Sequence, residues 1–155
     1  MSDNGGNSQP AQKLIVIRTH YVDQHLMQTA RELALGNQYE VLFAIDESAA
    51  TCDAGEFGKI SVTPEALSIF GLHAPDSRAY YFAGDYILYL ARFFRPKAQF
   101  IWMMEHDVLV NFEDIRQPFL KLDELSPDDF LTSHLSEAPE NWFWRKTMYL
   151  SLIHI

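Results

Sequence analysis

The run Phe100-Ile101-Trp102-Met103-Met104 constrains this chain more than any other stretch. Five apolar residues in a row suit a strand buried on both faces, the kind found in the middle of a parallel sheet. The run ends in Glu105-His106-Asp107. Side chains on a strand alternate faces, so residues two apart point the same way. If the backbone stays extended, Glu105 and Asp107 project together at the carboxyl end of that strand. In open α/β sheets this edge is where ligands bind, and paired hard oxygen donors suit Mg²⁺ or Mn²⁺ on a diphosphate. The plain alternative is that both carboxylates merely close a core strand, since acidic residues are common in turns.

The chain on either side of this run is expected to build an α/β sheet. Leu14-Ile15-Val16-Ile17 is a β-branched first strand ending in the polar cluster Arg18-Thr19-His20-Tyr21. Residues 22–35 carry Leu26, Ala30, Leu33 and Ala34 at helical spacing, with Gly36 and Asn37 as the stop. Tyr39 to Ile45 is a second buried strand, ending at Asp46-Glu47. Strand, helix, strand over about thirty residues is a βαβ unit with parallel strands. Ile60-Ser61-Val62 is a short strand; Thr63 caps a helix with Pro64 at its first position and Gly71 beyond its end. Residues 74–83 read as a loop with the aromatic cluster Tyr80-Tyr81-Phe82. Gly84-Asp85 opens a helix with Ile87, Leu88, Leu90 and Ala91 on its apolar face, and Pro96 ends it. Residues 112–122 read as a loop and a weak helix interrupted by Pro118. A further strand is expected at Asp129-Phe130-Leu131-Thr132.

Charge and composition exclude several classes. The formal net charge of -9 argues against a nucleic-acid partner, which needs clustered Lys and Arg. The single cysteine, Cys52, rules out an internal disulfide and a cysteine-based metal site; it reads as a small loop or core residue. Residues 1–12 are polar and read as a disordered tail, neither signal peptide nor anchor. No apolar run is long enough to span a bilayer, and a cytoplasmic location is the expectation.

Three strand ends therefore carry polar groups: Arg18 to Tyr21, Asp46-Glu47, and Glu105 to Asp107. With Trp102-Met103-Met104-Glu105-His106-Asp107-Val108, this arrangement resembles the nucleotide-diphospho-sugar transferases of the GT-A type. The segment Asp129 to His134 followed by Asn141-Trp142-Phe143-Trp144 is similar to a subgroup of those glycosyltransferases. The resemblance implies a Rossmann-like open, mostly parallel sheet with helices on both faces. It implies that Glu105 and Asp107 hold Mn²⁺ or Mg²⁺ and the diphosphate of a nucleotide-sugar donor, and that Arg18, Thr19 and Asp46 contact the nucleoside. It also implies that Asp85 contacts the donor sugar or a nearby Arg; the alternative is a charge favoured by the helix dipole. His106 is expected to pack away from its acidic neighbours, His134 to be structural, and Trp142 and Trp144 to pack on the sheet rather than stack on an acceptor.

A full enzyme of that type runs on into acceptor-binding residues that this sequence does not show. The last residues, Leu150-Ser151-Leu152-Ile153-His154-Ile155, resemble read-through at the end of an assembled fragment. The expectation is a nucleotide-sugar-binding domain over 13–149, inactive alone, with an unknown acceptor. A sugar-phosphate nucleotidyltransferase, or a non-catalytic domain that binds a nucleotide sugar, are the alternatives. The first of these wants a glycine-rich loop after the first strand, and Arg18-Thr19-His20-Tyr21 has no glycine.

Overall fold

The strand β1 (Gln12–Thr19) is buried on both sides, with Leu14, Ile15, Val16 and Ile17 fully enclosed. Such a strand has no solvent face and must be paired along both edges. It pairs in parallel with β2 (Tyr39–Asp46) on one side and with β4 (Ala98–Glu105) on the other. Beyond β2 lies β3 (Gly58–Val62), also parallel, so the sheet order is β3-β2-β1-β4. The structure is a computed structural model that describes residues 12–73, 80 and 84–125. The expected strand at Asp129 to Thr132, His134, Trp142 to Trp144 and the last six residues lie outside those described.

The helices follow their sequence signals. In α1 (Gln24–Ala34) the Asp23 carboxylate accepts from the Leu26 N–H at 2.8 Å, and Leu26, Ala30 and Leu33 are buried. A short 3-10 turn follows, in which Gly36 takes φ 76, a conformation that costs glycine little. In α2 (Pro64–Ile69) the Thr63 hydroxyl accepts from the Ala66 N–H at 3.1 Å. Gly71, at φ 71, lets the Leu72 N–H return to the Leu67 carbonyl. In α3 (Asp85–Phe94) Ile87, Leu90 and Ala91 are buried.

Both faces of the sheet are covered. Leu14 and Val16 of β1 join Leu42, Ala44, Ile60 and Val62 in a core closed by Leu67 of α2 and by Ile87, Leu90 and Ala91 of α3. The opposite face carries Ile15, Ile17, Phe43 and Ile45, all fully buried, and α1 lies along β2. The α/β expectation is met: every described strand is parallel and the helices pack against the sheet.

Two expectations are corrected. The Phe100 to Met104 run is an edge strand among the described residues, with Phe100 41% and Met103 37% exposed. A continuous apolar run reads the same whether one neighbour or two cover it. Pro118 does not interrupt a helix either. It is the second residue of α4 (Gln117–Leu125), within the first turn, where the missing N–H would have had no partner. That helix belongs to a second compact unit, Arg116–Ile155, separate from Met1–Ile115.

Truncating Leu42, which is buried in the core with α2 and α3, to alanine should lower stability by roughly 2–5 kcal/mol. Thr63→Ala should cost about 1 kcal/mol through the lost cap. Urea unfolding of both variants measures this; equal losses would contradict the assignment of Leu42 to the core and Thr63 to a cap.

Candidate functional site

Parallel pairing sends the carboxyl ends of β2, β1 and β4 to one edge of the sheet. The chain turns outward in two directions there, from β1 to β2 on one side and, after β3, back to β4 on the other. A crevice outside such a reversal point is the usual ligand position in parallel sheets. The register sets Arg18 opposite Ala44 on β2 and opposite Glu105 on β4.

Arg18 is the hub of this edge. Its side chain is only 12% exposed, and Nη1 donates to Glu105 Oε1 at 2.7 Å. Nη2 donates to the Tyr80 carbonyl, and the guanidinium carbon lies 4.5 Å from the Tyr80 ring centroid. Nε is buried without a hydrogen-bond partner among the described residues. A Cβ added to Gly84, at the start of α3, would sit 3.5 Å from Nη1, so that helix begins against the guanidinium.

Tyr80 closes the cluster. Its hydroxyl donates to the Thr19 carbonyl at 2.7 Å and is 3.2 Å from the Ala44 carbonyl, so it braces the ends of β1 and β2 together. Burial pushes the phenol well above its ordinary value; the Arg18 charge opposes this, and the Glu105 and Asp46 carboxylates add to it. The place of Tyr80 in the aromatic cluster Tyr80-Tyr81-Phe82 does not reveal this, because only the fold brings it to β1.

The other expected site residues divide into two groups. Asp46 ends β2, and its Oδ1 accepts from the Ser48 N–H at 2.9 Å and the Ser48 hydroxyl at 2.5 Å. Thr19 is buried, and its hydroxyl is engaged with the Tyr21 carbonyl at 2.6 Å and the Tyr21 N–H at 3.2 Å. By strand alternation Thr19 lies on the face opposite Arg18, so its side chain shapes the turn after β1 and does not join the cluster. Asp85 is the first residue of α3, beside Gly84, where the helix dipole favours a negative charge.

The extended backbone expected through Glu105-His106-Asp107 is not what forms. β4 stops at Glu105, and His106 and Asp107 occupy a turn closed by the Val108 N–H on the Glu105 carbonyl at 3.2 Å. The edge position explains this, because past Glu105 the strand keeps a partner, among the described residues, on one side only, through the His106 N–H on the Arg18 carbonyl at 3.0 Å. Strand alternation therefore cannot be used to place Asp107 on the face of Glu105. Asp107 is exposed, while Glu105, 39% exposed, is tied to Arg18 through one oxygen. His106 packs its ring against His20 and Tyr21, with centroids 4.9 and 5.1 Å away.

Glu47, one residue past β2, was grouped with Asp46 in sequence but has another task. Its side chain is 4% exposed; Oε1 accepts from Lys59 Nζ and from the Cys52 N–H, both at 2.7 Å, and Oε2 accepts from the Ser61 hydroxyl. It fastens the loop between β2 and β3. Burial by itself would raise this carboxyl, but the hydrogen bonds from Lys59, Ser61 and Cys52, with the Lys59 charge, outweigh it and hold it down to about 2.

Among the described residues no group of three or more His, Cys, Asp or Glu side chains is placed to hold a metal ion, and no helix is long and apolar enough to cross a membrane. A hard cation at Glu105 and Asp107 would therefore complete its shell with water and phosphate oxygens, which is how Mg²⁺ is commonly held. Both residues offer oxygen donors at one strand end, and to that extent the donor set fits.

Comparison with protein-family models, with curated proteins and with solved structures gives no match.

Two measurements test this construction. Because the Glu47 carboxyl is depressed, its contribution is fully present above its unfolded value near 4.5 and is lost as pH falls toward about 2. Glu47→Gln should remove up to about 3 kcal/mol at pH 6 and lose less at pH 3. Urea unfolding at both pH values reads this, and an equal loss at each would exclude the ionised network. For the hub, a double-mutant cycle between Arg18→Met and Glu105→Gln should return a coupling of roughly 0.5–3 kcal/mol; additive losses would mean the pair contributes nothing.

Proposed function

We propose that this chain is the donor-binding part of a metal-dependent glycosyltransferase with a Rossmann-like, GT-A type sheet. It takes a nucleotide-diphosphate sugar at the carboxyl edge of β2, β1 and β4. The supporting observation is that the ends of β1 and β2, tied together by the Tyr80 hydroxyl, and the Arg18–Glu105 pair beside the Tyr80 ring lie together at the point where the strand order reverses.

Electrostatics favours a metal in this reading. Arg18 faces Glu105 directly, with Asp46, Asp85 and Asp107 at the same edge. An edge this acidic repels a bare diphosphate, and a divalent cation reverses the local sign. Mn²⁺ or Mg²⁺ on Glu105 and Asp107 would supply charge stabilisation for a departing diphosphate. Asp46, at the end of β2, is the nucleoside-side residue. Arg18 then orients Glu105 and offers a guanidinium to phosphate oxygens. The absence of glycine in Arg18-Thr19-His20-Tyr21 counts against a sugar-phosphate nucleotidyltransferase. The ion pair that already occupies Glu105 favours a second reading, a non-catalytic α/β domain. Product formation with added acceptors separates that from an enzyme.

Calorimetry with a panel of nucleotide-diphosphate sugars, with and without Mn²⁺, tests the proposal. Binding should require the metal and should be lost in Asp107→Ala. The apo stability of that variant should change by no more than about 0.5 kcal/mol, since Asp107 is exposed. Affinity that survives the substitution would remove Asp107 from the metal site, and no metal-dependent binding across the panel would end the reading.

A further inference from the structure

Apart from the carboxylates, two imidazoles meet at the same edge. His20 is the first residue beyond β1, and His106 is the first beyond β4. The two strands are paired, and the His106 N–H donates to the Arg18 carbonyl at 3.0 Å, so the ladder fixes where both histidines leave the sheet. Their ring centroids are 4.9 Å apart, and the Tyr21 ring packs edge-on against both, at 4.9 and 5.1 Å. His20 is exposed and His106 half-buried, so the pair is open to solvent.

We propose that His20 and His106 form a two-imidazole site for a borderline-soft divalent cation, Zn²⁺, Cu²⁺ or Ni²⁺, at the carboxyl edge between β1 and β4. The spacing carries the argument. A bound imidazole nitrogen lies about 2.0–2.1 Å from Zn²⁺, and the ring centre lies about 1.1 Å further along the same line, so two rings at a tetrahedral angle have centroids roughly 5 Å apart. The observed separation of 4.9 Å, with the ring planes 89° apart, matches that spacing. Rotation about χ2 of histidine is broad and soft, so the rings turn their nitrogens toward a shared ion at little cost. No third His, Cys, Asp or Glu among the described residues completes a protein cage. The remaining positions therefore belong to water or to an oxygen of a bound ligand, as in sites that keep an open coordination position.

This site is chemically distinct from a hard-cation position at Glu105 and Asp107. Imidazole selects Zn²⁺, Cu²⁺ and Ni²⁺, whereas carboxylates select Mg²⁺ and Mn²⁺. It does not rest on the nucleotide-sugar reading, and either can fail alone.

The test uses the untagged full chain. Zn²⁺ calorimetry should give one site that a large excess of Mg²⁺ does not displace, and Cu²⁺ electron paramagnetic resonance should show two coordinated nitrogens. His20→Gln and His106→Gln should each weaken Zn²⁺ by about tenfold or more and reduce the nitrogen count to one. His25→Gln and His73→Gln, at exposed positions elsewhere, should change neither. Circular dichroism checks that each variant folds. If His106→Gln does not, the nitrogen count of the unaltered chain together with His20→Gln decides. No Zn²⁺ binding, a single nitrogen in the unaltered chain, or binding that persists in the double variant would overturn the proposal.

Discussion

The pairing of β1 on both edges is the constraint on which the carboxyl edge depends. Leu14 to Ile17 exclude water on both faces of the strand. Their backbone N–H and C=O groups must therefore be satisfied by neighbouring strands, since an unpaired buried peptide group is costly. Parallel partners on both sides meet that demand, and they also send three strand ends to one edge. The register then places Arg18 beside Glu105. A guanidinium enclosed to this degree is tolerable only with partners that replace water. Glu105 takes one nitrogen, the Tyr80 carbonyl another, and the Tyr80 ring lies beneath the plane. A burial requirement on apolar residues thus determines which charges meet at the end of the sheet.

The polar residues at that edge do two kinds of work. Glu47, Thr19 and Tyr80 are occupied with the chain itself: Glu47 fastens the loop after β2, Thr19 shapes the turn after β1, and Tyr80 ties the ends of β1 and β2 together. Their hydrogen-bonding capacity is largely used within the fold. Asp107, His20 and the second oxygen of Glu105 are less committed, and they lie where β1 and β4 end. The groups engaged within the fold thus lie inside, and the more open ones lie outside them.

The cost of that arrangement is visible in Arg18. One of its nitrogens is buried without a partner among the described residues, and its main counter-ion sits on β4, an edge strand among those residues. An isolated buried charge is expensive, and one held by partners on separate elements makes those elements interdependent. The end of β4, the start of α3 and Tyr80 therefore meet at a single side chain.

Much of the architecture was determined by sequence alone. The β-branched run at Leu14 to Ile17, the alternation of strands and helices through residue 71, the cap at Thr63 and the stops at Gly36 and Gly71 are local signals. Each works through its own backbone torsions or nearest neighbours. The three polar strand ends were legible for the same reason. The tertiary structure decided the rest. Among the described residues it made Phe100 to Met104 an edge strand, and it turned the backbone at His106 and Asp107 and brought Tyr80 beneath the guanidinium. It also set His20 beside His106, eighty-odd residues later in the chain. None of these can be read from spacing, because strand adjacency and register are fixed by contacts between segments far apart in sequence. Local torsional preference does not encode which strand lies next to which; burial of the shared core does.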